Sequence, residues 1–143
     1  MRQHVHAMAQ GRVPAPAIAN LIGFTLVAVG DGRATFARET DPARHGNPMG
    51  TVHGGVLCDL ADAAMGTAYA STLDEGETFT SLELKINFLR PVWRATLRAE
   101  GRVVQGGRTV GLVECDVFDE RERLVARASS TCLTLRGEQA AGR

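Results

Sequence analysis

Hydrophobic and polar residues alternate through most of the second half of the chain. Between residues 97 and 104, Leu97, Ala99 and Val103 occupy one face, and charged side chains occupy the other. A period of two is typical of strands with one buried face and one face in solvent. The alternation predicts strands at Thr78–Leu89, Leu97–Val104, Arg108–Phe118 and Leu124–Leu135, and earlier in the chain at Phe24–Val29 and Arg33–Thr40. Short polar turns between successive strands predict an antiparallel meander.

The stretch Gly54–Leu73 shows no alternation, and almost every residue in it is small or apolar. Its only charges are Asp59 and Asp62. A helix that is apolar around most of its circumference is buried, so we expect a sheet of about six strands to curve around it. A shorter helix is predicted after Pro16, where apolar residues recur at helical spacing before Gly23. The predicted fold class is α+β, with a long central apolar helix wrapped by a curved antiparallel sheet.

Length and charge limit the domain organisation and the partners. The chain has 143 residues, and its 16 basic and 16 acidic side chains give a formal net charge of +0. A neutral chain lacks the field that holds nucleic acid, so no nucleic-acid partner is predicted. We expect one domain over residues 14–136, a flexible N-terminal segment at 1–13 and a C-terminal tail at 137–143.

Composition also indicates the compartment. Prolines interrupt the apolar run 13–30, which continues into a predicted strand, so neither a membrane span nor a signal peptide is predicted. The three cysteines lie in apolar stretches and are expected to be reduced core residues: Cys58, Cys115 and Cys132. His4 and His6 lack a third ligand, so no metal site is predicted. We therefore expect a cytoplasmic protein without contact to a membrane.

The predicted buried helix begins with two glycines that follow His53. The N–H groups of Gly54 and Gly55 fall in its first turn, where helical amides lack partners, and such amides stabilise an oxyanion. Asn47 and His53 can add side-chain donors. The structural alternative is that the glycines only let the start of the helix pack closely against a strand. Spacing alone favours neither interpretation.

Asp59 and Asp62 lie three residues apart and therefore on one face of the helix. One interpretation is a stripe that faces solvent. The other is a functional carboxylate, because an apolar cleft raises the pKa of an aspartate and leaves it usable as a base or nucleophile near neutral pH. The same face continues through Gly66 and Ala70 without another charge, which is unusual for a face in solvent.

Helix geometry constrains how Gly54 and Asp62 can cooperate. Eight residues separate them, or about 12 Å at about 1.5 Å per residue. A nucleophile and oxyanion donors must both lie about 3 Å from one reacting group. If both residues act, Gly54 of one subunit must face Asp62 of another across a two-fold axis, and the site requires a dimer.

Two further residues are candidates on chemical grounds alone. Ser81 lies near the start of the strand after the helix and can hold a water molecule for an aspartate, although a plain strand hydroxyl is the commoner case. Arg108 follows the Gly106–Gly107 turn, which can expose it to a phosphate, although a solvated arginine is the commoner case. No nucleotide-binding loop, zinc pattern or Ser-His-Asp signature is present.

Four stretches of the chain together resemble a known family. Asn47–Asp62 reads N-P-M-G-T-V-H-G-G-V-L-C-D-L-A-D, and Leu82–Pro91 reads L-E-L-K-I-N-F-L-R-P. The G-R-T-V of Gly107–Val110 and the strand that ends at Ala128–Thr131 follow. In this order and spacing they resemble the hotdog-fold acyl-CoA thioesterases of the PaaI-like, phenylacetate-pathway type. The resemblance covers about the last two thirds of the chain and implies the hotdog fold.

The resemblance implies a role for each matching position. Gly54 contributes the backbone N–H that polarises the thioester carbonyl, and Asn47 and His53 position it. Asp62 of the partner subunit attacks as a nucleophile or activates water, and the resemblance leaves both roles open. Ser81 matches the position that helps hold this water.

The resemblance also implies the substrate and the assembly. Coenzyme A enters as part of the substrate, no separate cofactor is implied, and homodimers, often paired into tetramers, are expected. Asp59 departs from the family pattern, since a neutral residue is usual there, and receives no catalytic role. The positions assigned to substrate contact are Gly55, Met49, Met65, Tyr69, Arg90 and Arg108.

Three functions are compatible with these residues. The first is an acyl-CoA thioesterase, which hydrolyses an acyl- or aryl-CoA thioester to a carboxylate and CoA. The second is a non-catalytic acyl-CoA-binding module on the same fold. The third is an enoyl-CoA hydratase-type enzyme, which would need a different acid/base pair.

Overall fold

The computed structural model describes residues 1–141 and contains four α-helices, six strands and a short 3₁₀ helix. The helices are α1 Arg2–Ala9, α2 Ala17–Ile22, α3 Pro42–His45 and α4 Gly54–Ala70. The strands are β1 Phe24–Gly30, β2 Arg33–Glu39, β3 Thr78–Phe88, β4 Thr96–Gly106, β5 Val110–Phe118 and β6 Leu124–Leu135. The 3₁₀ helix occupies Gly137–Ala140 in the predicted tail, whose residues 142 and 143 lie outside the described part.

The six strands form one antiparallel sheet in the order β1-β2-β4-β5-β6-β3. The predicted meander is correct for β4, β5 and β6 but wrong for β3, which pairs with β6 instead of β4. The connection at residues 89–95 explains the difference, because it runs along the end of the sheet. Leu89 donates its N–H to Val125 of β6, and Ala95 accepts one from Thr40 beyond β2. β3 is therefore an edge strand.

Helix α4 packs against one face of this sheet, contacts all six strands and supplies much of the core. The alternation in β5 is confirmed, since Val113, Cys115 and Val117 are fully buried. Two glycines let the sheet approach the helix closely. A Cβ at Gly101 would overlap the carbonyl of Ala64, and one at Gly111 would overlap the Tyr69 ring. With few aromatic residues, the chain fills its core by close backbone contact.

Replacing Gly101 by alanine should therefore destabilise the fold strongly. The added methyl group meets the rigid backbone of α4 rather than a flexible side chain, so we expect the free energy of unfolding to fall by about 3 kcal/mol. Urea denaturation measures the change. Gly106→Ala in the same strand is the matched control, because its nearest atom would be Val103 Cγ1 at 3.9 Å. Equal losses in both variants would contradict the close approach of β4 to α4.

The N-terminal segment at residues 1–13 contains a helix that the sequence analysis does not predict. Residues 2–9 form α1, which packs on β1 and α4 with Val5 buried. Arg2 forms an ion pair with Asp31 at 2.7 Å in the turn between β1 and β2. One apolar side chain, Val5, thus anchors this helix on two larger elements, and the polar pattern of the segment does not reveal this contact.

Two findings concern the environment of the protein. Within residues 1–141, no helix is long and apolar enough to cross a bilayer. All three cysteines are free thiols; Cys115 and Cys132 are buried, as expected for core residues, whereas Cys58 is partly exposed.

Candidate active site

The start of α4 leaves one backbone amide available. His53 is the N-cap residue, and its Nδ1 accepts the N–H of Gly55 at 2.9 Å. A neutral His53 therefore carries its proton on Nε2, where it can act as a donor. The N–H of Gly54 has no acceptor within residues 1–141. The first turn thus combines a free amide with an exposed imidazole, as an oxyanion site requires.

Phe88 at the end of β3 closes one side of this turn. A Cβ at Gly54 would lie only 2.7 Å from Phe88 Cζ, so the ring packs directly on the glycine. The ring remains 54% exposed. Phe88 is a site residue that the sequence reasoning missed, although it continues the alternation of Leu84 and Ile86. Gly54 is therefore compatible with both interpretations of the glycines. It lets the start of the helix pack closely against a strand, and it leaves an amide open for an oxyanion.

Asn47 organises the loop that precedes the helix. Its Nδ2 donates to Thr51 Oγ1 at 2.8 Å, and its Oδ1 accepts the N–H groups of Met49 and Thr51 at 3.0 and 3.2 Å. Its side chain therefore holds the loop in shape beside the helix start. The cavity at this place has a volume of about 360 Å³, and its lining includes Asn47, Met49, Gly54, Phe88 and Arg90.

Asp62 lies eight residues further along α4, away from the start of the helix. Ser81 Oγ donates a hydrogen bond to its Oδ1 at 3.4 Å. Desolvation by the surrounding protein raises the pKa of Asp62, although one side of the residue is exposed in the single chain. The Ser81 hydrogen bond opposes this rise in pKa, and the negative charge of Asp59 adds to it. This is the behaviour expected of a catalytic base or nucleophile.

A second cavity, of about 200 Å³, adjoins Asp62. Its walls come from the N-terminal helices, the first two strands and α4, and its lining includes Met8, Pro16, Ile18, Phe24, Phe36, Asp59 and Thr67. The N-terminal segment therefore helps to bury the carboxylate. Asp59 faces the same cavity, so the charged pair predicted from the sequence shares one face of α4.

Gly54 and Asp62 do not meet within one chain. Gly54 packs on Phe88, whereas Asp62 bonds to Ser81. Seven residues of β3 separate these two contacts, or about 23 Å at about 3.3 Å per residue. Both this distance and the distance of about 12 Å along α4 exceed the separation of about 3 Å that a nucleophile and oxyanion donors require, so the Gly54 and Asp62 groups are two separate half-sites in one chain.

Met65 and Tyr69 do not reach either half-site. They are 1% and 2% exposed, and the Tyr69 hydroxyl is hydrogen-bonded to Thr134 Oγ1 at 2.8 Å. The predicted substrate contact is thus corrected to a packing role, because both side chains fill the interior of the chain.

The two candidate arginines lie at opposite ends of β3. Arg90 lines the cavity beside Gly54. Arg108 lies in the β4–β5 turn, and the next residue, Thr109, accepts the N–H of Thr134 near the end of β6. The structure therefore does not bring Arg90 and Arg108 together. Within residues 1–141, no three His, Cys, Asp or Glu side chains are placed to hold a metal ion.

Comparison with known proteins places this site in a family context. Residues 49–126, more than half of the chain, match the thioesterase superfamily. A protein of Saccharolobus solfataricus named "Putative esterase" is 36% identical over 87 residues, which are 61% of this chain and 61% of that protein. The chain thus spans less than two thirds of the length of this curated relative.

Two longer matches extend the likeness. The 1,4-dihydroxy-2-naphthoyl-CoA hydrolase of Listeria monocytogenes is 28% identical over 110 residues, which are 77% of this chain and 89% of that one. The crystal structure of a phenylacetic acid degradation-related protein from Ralstonia eutropha is 31% identical, with a TM-score of 0.82 over 90% of this chain and 98% of that one. The chain therefore has the hotdog fold and belongs to the thioesterase superfamily.

Proposed function

We propose that this protein is an acyl-CoA thioesterase, which hydrolyses an acyl- or aryl-CoA thioester to a carboxylate and CoA. One observation carries the proposal: a carboxylate with a raised pKa, hydrogen-bonded by Ser81, lies on the same helix that begins with the free amide of Gly54. Membership in the thioesterase superfamily supports this chemistry. The names of the Listeria and Ralstonia relatives favour an aryl-CoA substrate.

In this mechanism the Gly54 N–H donates to the thioester carbonyl oxygen and stabilises the charge that develops there. Asp62 either attacks the carbonyl carbon or takes a proton from a water that does so. If water attacks, the C–S bond then breaks, the CoA sulfur takes the proton held by Asp62, and the acyl group leaves as a carboxylate after losing a proton to solvent. If Asp62 attacks, the C–S bond breaks to leave a mixed anhydride on Asp62. Water then hydrolyses this anhydride, which releases the carboxylate, restores Asp62 and supplies the proton of the CoA thiol. Ser81 orients Asp62 or its water.

The mechanism needs two chains, and β3 offers the surface that joins them. Among the strands of residues 1–141, β3 pairs with β6 alone, so within this part of the chain the backbone groups along its other edge have no strand partner. Such an 11-residue edge is a template for another strand. We propose that β3 pairs antiparallel with β3 of a second copy across a two-fold axis.

The register of this pairing follows from the two half-sites. Ser81 marks the Asp62 half-site, and Phe88 marks the Gly54 half-site. A two-fold axis midway between them, at Leu84–Lys85, sets Ser81 opposite the partner's Phe88. Two complete sites then form in each dimer, and dimers can pair further into tetramers.

The proposed reaction consumes only water and the thioester, so it requires no cofactor. A cytoplasmic location is part of the proposal, because it would keep the three thiols reduced. Gly55 and Met49 flank the open amide and are the proposed substrate contacts next to it, with Arg90 at the mouth of the same cavity.

The test of this function is thiol release from a panel of CoA thioesters. The panel comprises phenylacetyl-, hydroxybenzoyl-, short-chain and long-chain acyl-CoAs. We expect turnover of at least one aryl ester. Binding of the esters without release of thiol would favour the non-catalytic module, and hydration of an enoyl-CoA would favour the hydratase.

The pH profile should shift in opposite directions in two variants. Asp62 acts in its ionised form, so kcat/KM falls as the pH drops through its raised pKa. Ser81→Ala removes a hydrogen bond that lowers this pKa, so the acidic limb should move to higher pH. Asp59→Asn removes a charge that raises it, so the limb should move to lower pH. Shifts in the same direction, or no shift in either variant, would contradict Asp62 as the titrating group.

A further inference from the structure

Arg38 of β2 is a buried cation with incomplete hydrogen bonding. The residue is 3% exposed and lies on the inner face of the sheet with Phe36. Its Nη1 is buried and has no partner within residues 1–141. Burial lowers the pKa of the guanidinium, as does the charge of Arg44, while Asp59 opposes the change. Since an unpaired buried charge is costly, this guanidinium needs an anion.

His45 has more hydrogen-bond donors around it than it can accept from. Arg38 Nη2 lies 2.8 Å from its Nε2, and the N–H of Asp41 lies 3.0 Å from its Nδ1. Both neighbours are donors, but a neutral imidazole has one acceptor nitrogen only. His45 can therefore satisfy one of them, and it supplies an additional N–H instead of the missing negative charge.

These groups line a cavity of about 590 Å³ between the end of α2, the β1–β2 hairpin and α3. The charged groups that line it are Arg38, Arg44, Arg94, Glu39 and Asp41. Asp41 is already engaged, because its Oδ1 caps α3 through the Ala43 N–H and pairs with Arg94 at 3.0 Å. Glu39 and Arg44 are both exposed. The three arginines of the lining outnumber its two carboxylates, and within residues 1–141 the buried Arg38 forms no ion pair with either of them.

We propose that this cavity binds a phosphate group carried by a small organic molecule, with Arg38 and Arg44 as the residues that recognise the phosphate. Two guanidinium groups match the charge of a phosphate dianion better than that of a single carboxylate. The cavity is large enough for a small-molecule ligand, and Ile22 and Ala37 give it apolar walls. The phosphate can belong to the nucleotide part of CoA or to a separate phosphorylated molecule.

Titration calorimetry on the full chain tests this site without any thioester. The probes are inorganic phosphate, adenosine 3′,5′-bisphosphate, CoA and, as a carboxylate, acetate. We expect adenosine 3′,5′-bisphosphate or phosphate to bind, and Arg38→Gln and Arg44→Gln each to weaken this binding about tenfold. Arg33→Gln is the matched control, because Arg33 is exposed on the same strand and does not line the cavity.

Two further results make the test decisive. If Arg38→Gln does not fold, Arg44→Gln and Asp59→Asn still test the site. Asp59→Asn removes a negative charge that competes with the phosphate for Arg38, so it should tighten phosphate binding. Binding of CoA that depends on Arg44 assigns the site to the substrate's nucleotide, and binding of phosphate without CoA assigns it to a separate ligand. If neither inorganic phosphate nor adenosine 3′,5′-bisphosphate binds, or if Arg44→Gln leaves their binding unchanged, the proposal is overturned, whether or not the protein proves to be a thioesterase.

Discussion

Asp62→Asn should lower kcat for thioester hydrolysis about a thousandfold or more while leaving the affinity for CoA esters within a few-fold. The amide has nearly the shape of the carboxylate and can still accept a hydrogen bond from Ser81, but it can neither attack a carbonyl nor take a proton from water. Thiol release and direct binding of a CoA ester measure the two effects separately.

Thermal unfolding of Asp62→Asn distinguishes a loss of catalysis from a loss of folding. Because folding raises the pKa of Asp62, its ionised form is disfavoured in the folded state, and the pH dependence has a definite sign. The native state binds the proton more tightly, so the carboxylate lowers stability as the pH rises through its unfolded and then its folded pKa. The neutral Asn variant should therefore unfold at the same temperature as the native protein or at a higher one near neutral pH.

Asp74→Asn is the control for the loss of a surface carboxylate, since Asp74 is exposed beyond the end of α4. It should retain native turnover. Retention of turnover in Asp62→Asn, or equal losses in both variants, would contradict the assignment of Asp62.

Much of this architecture could be predicted from hydrophobic periodicity. The sequence predicts α4 from its first residue and β6 with both its ends, because the apolar helix and the alternating strand have strong and different periods. The separation of Gly54 and Asp62 also follows, since it depends only on the rise of a helix.

The order of the strands could not be predicted from the same signal. An edge strand and a central strand can show the same alternation, and only the path of the connection 89–95 decides that β3 pairs with β6. This result matters for function, because it leaves β3 free to join a second copy. The burial of Met65 and Tyr69 could not be predicted either, because an apolar residue on a buried helix can face either the core or a pocket.

Arg38 had a signal that pointed to it. Ala34, Phe36 and Arg38 alternate along β2, and a period of two sets all three on the buried face. An arginine in such a register is rare enough to indicate a site. The contact between Arg38 and His45 could not be predicted, because His45 reaches Arg38 from a helix of only four residues in a stretch without a period.

The shared site makes a strong prediction for mixed dimers. Asp62→Asn and Gly54→Val should each be inactive alone, the second because a side chain at Gly54 collides with Phe88 and covers the amide. In a dimer of one chain of each kind, one site combines the intact Asp62 with the partner's Gly54, and the other site carries both defects. After random exchange of subunits in an equal mixture, half of the dimers hold one working site each, so activity should recover to about a quarter of the native value.

The matched control puts both substitutions on one chain and mixes it with an equal amount of native protein. Each site of the mixed dimer then has one defect, so only native homodimers work, and activity should fall to about a quarter of that of an all-native sample. If each chain held a complete site, the first mixture would stay inactive and the second would keep half. The relative activities of the two mixtures therefore distinguish a shared site from a single-chain site. Because they are compared with the native sample, the result does not depend on the native turnover number.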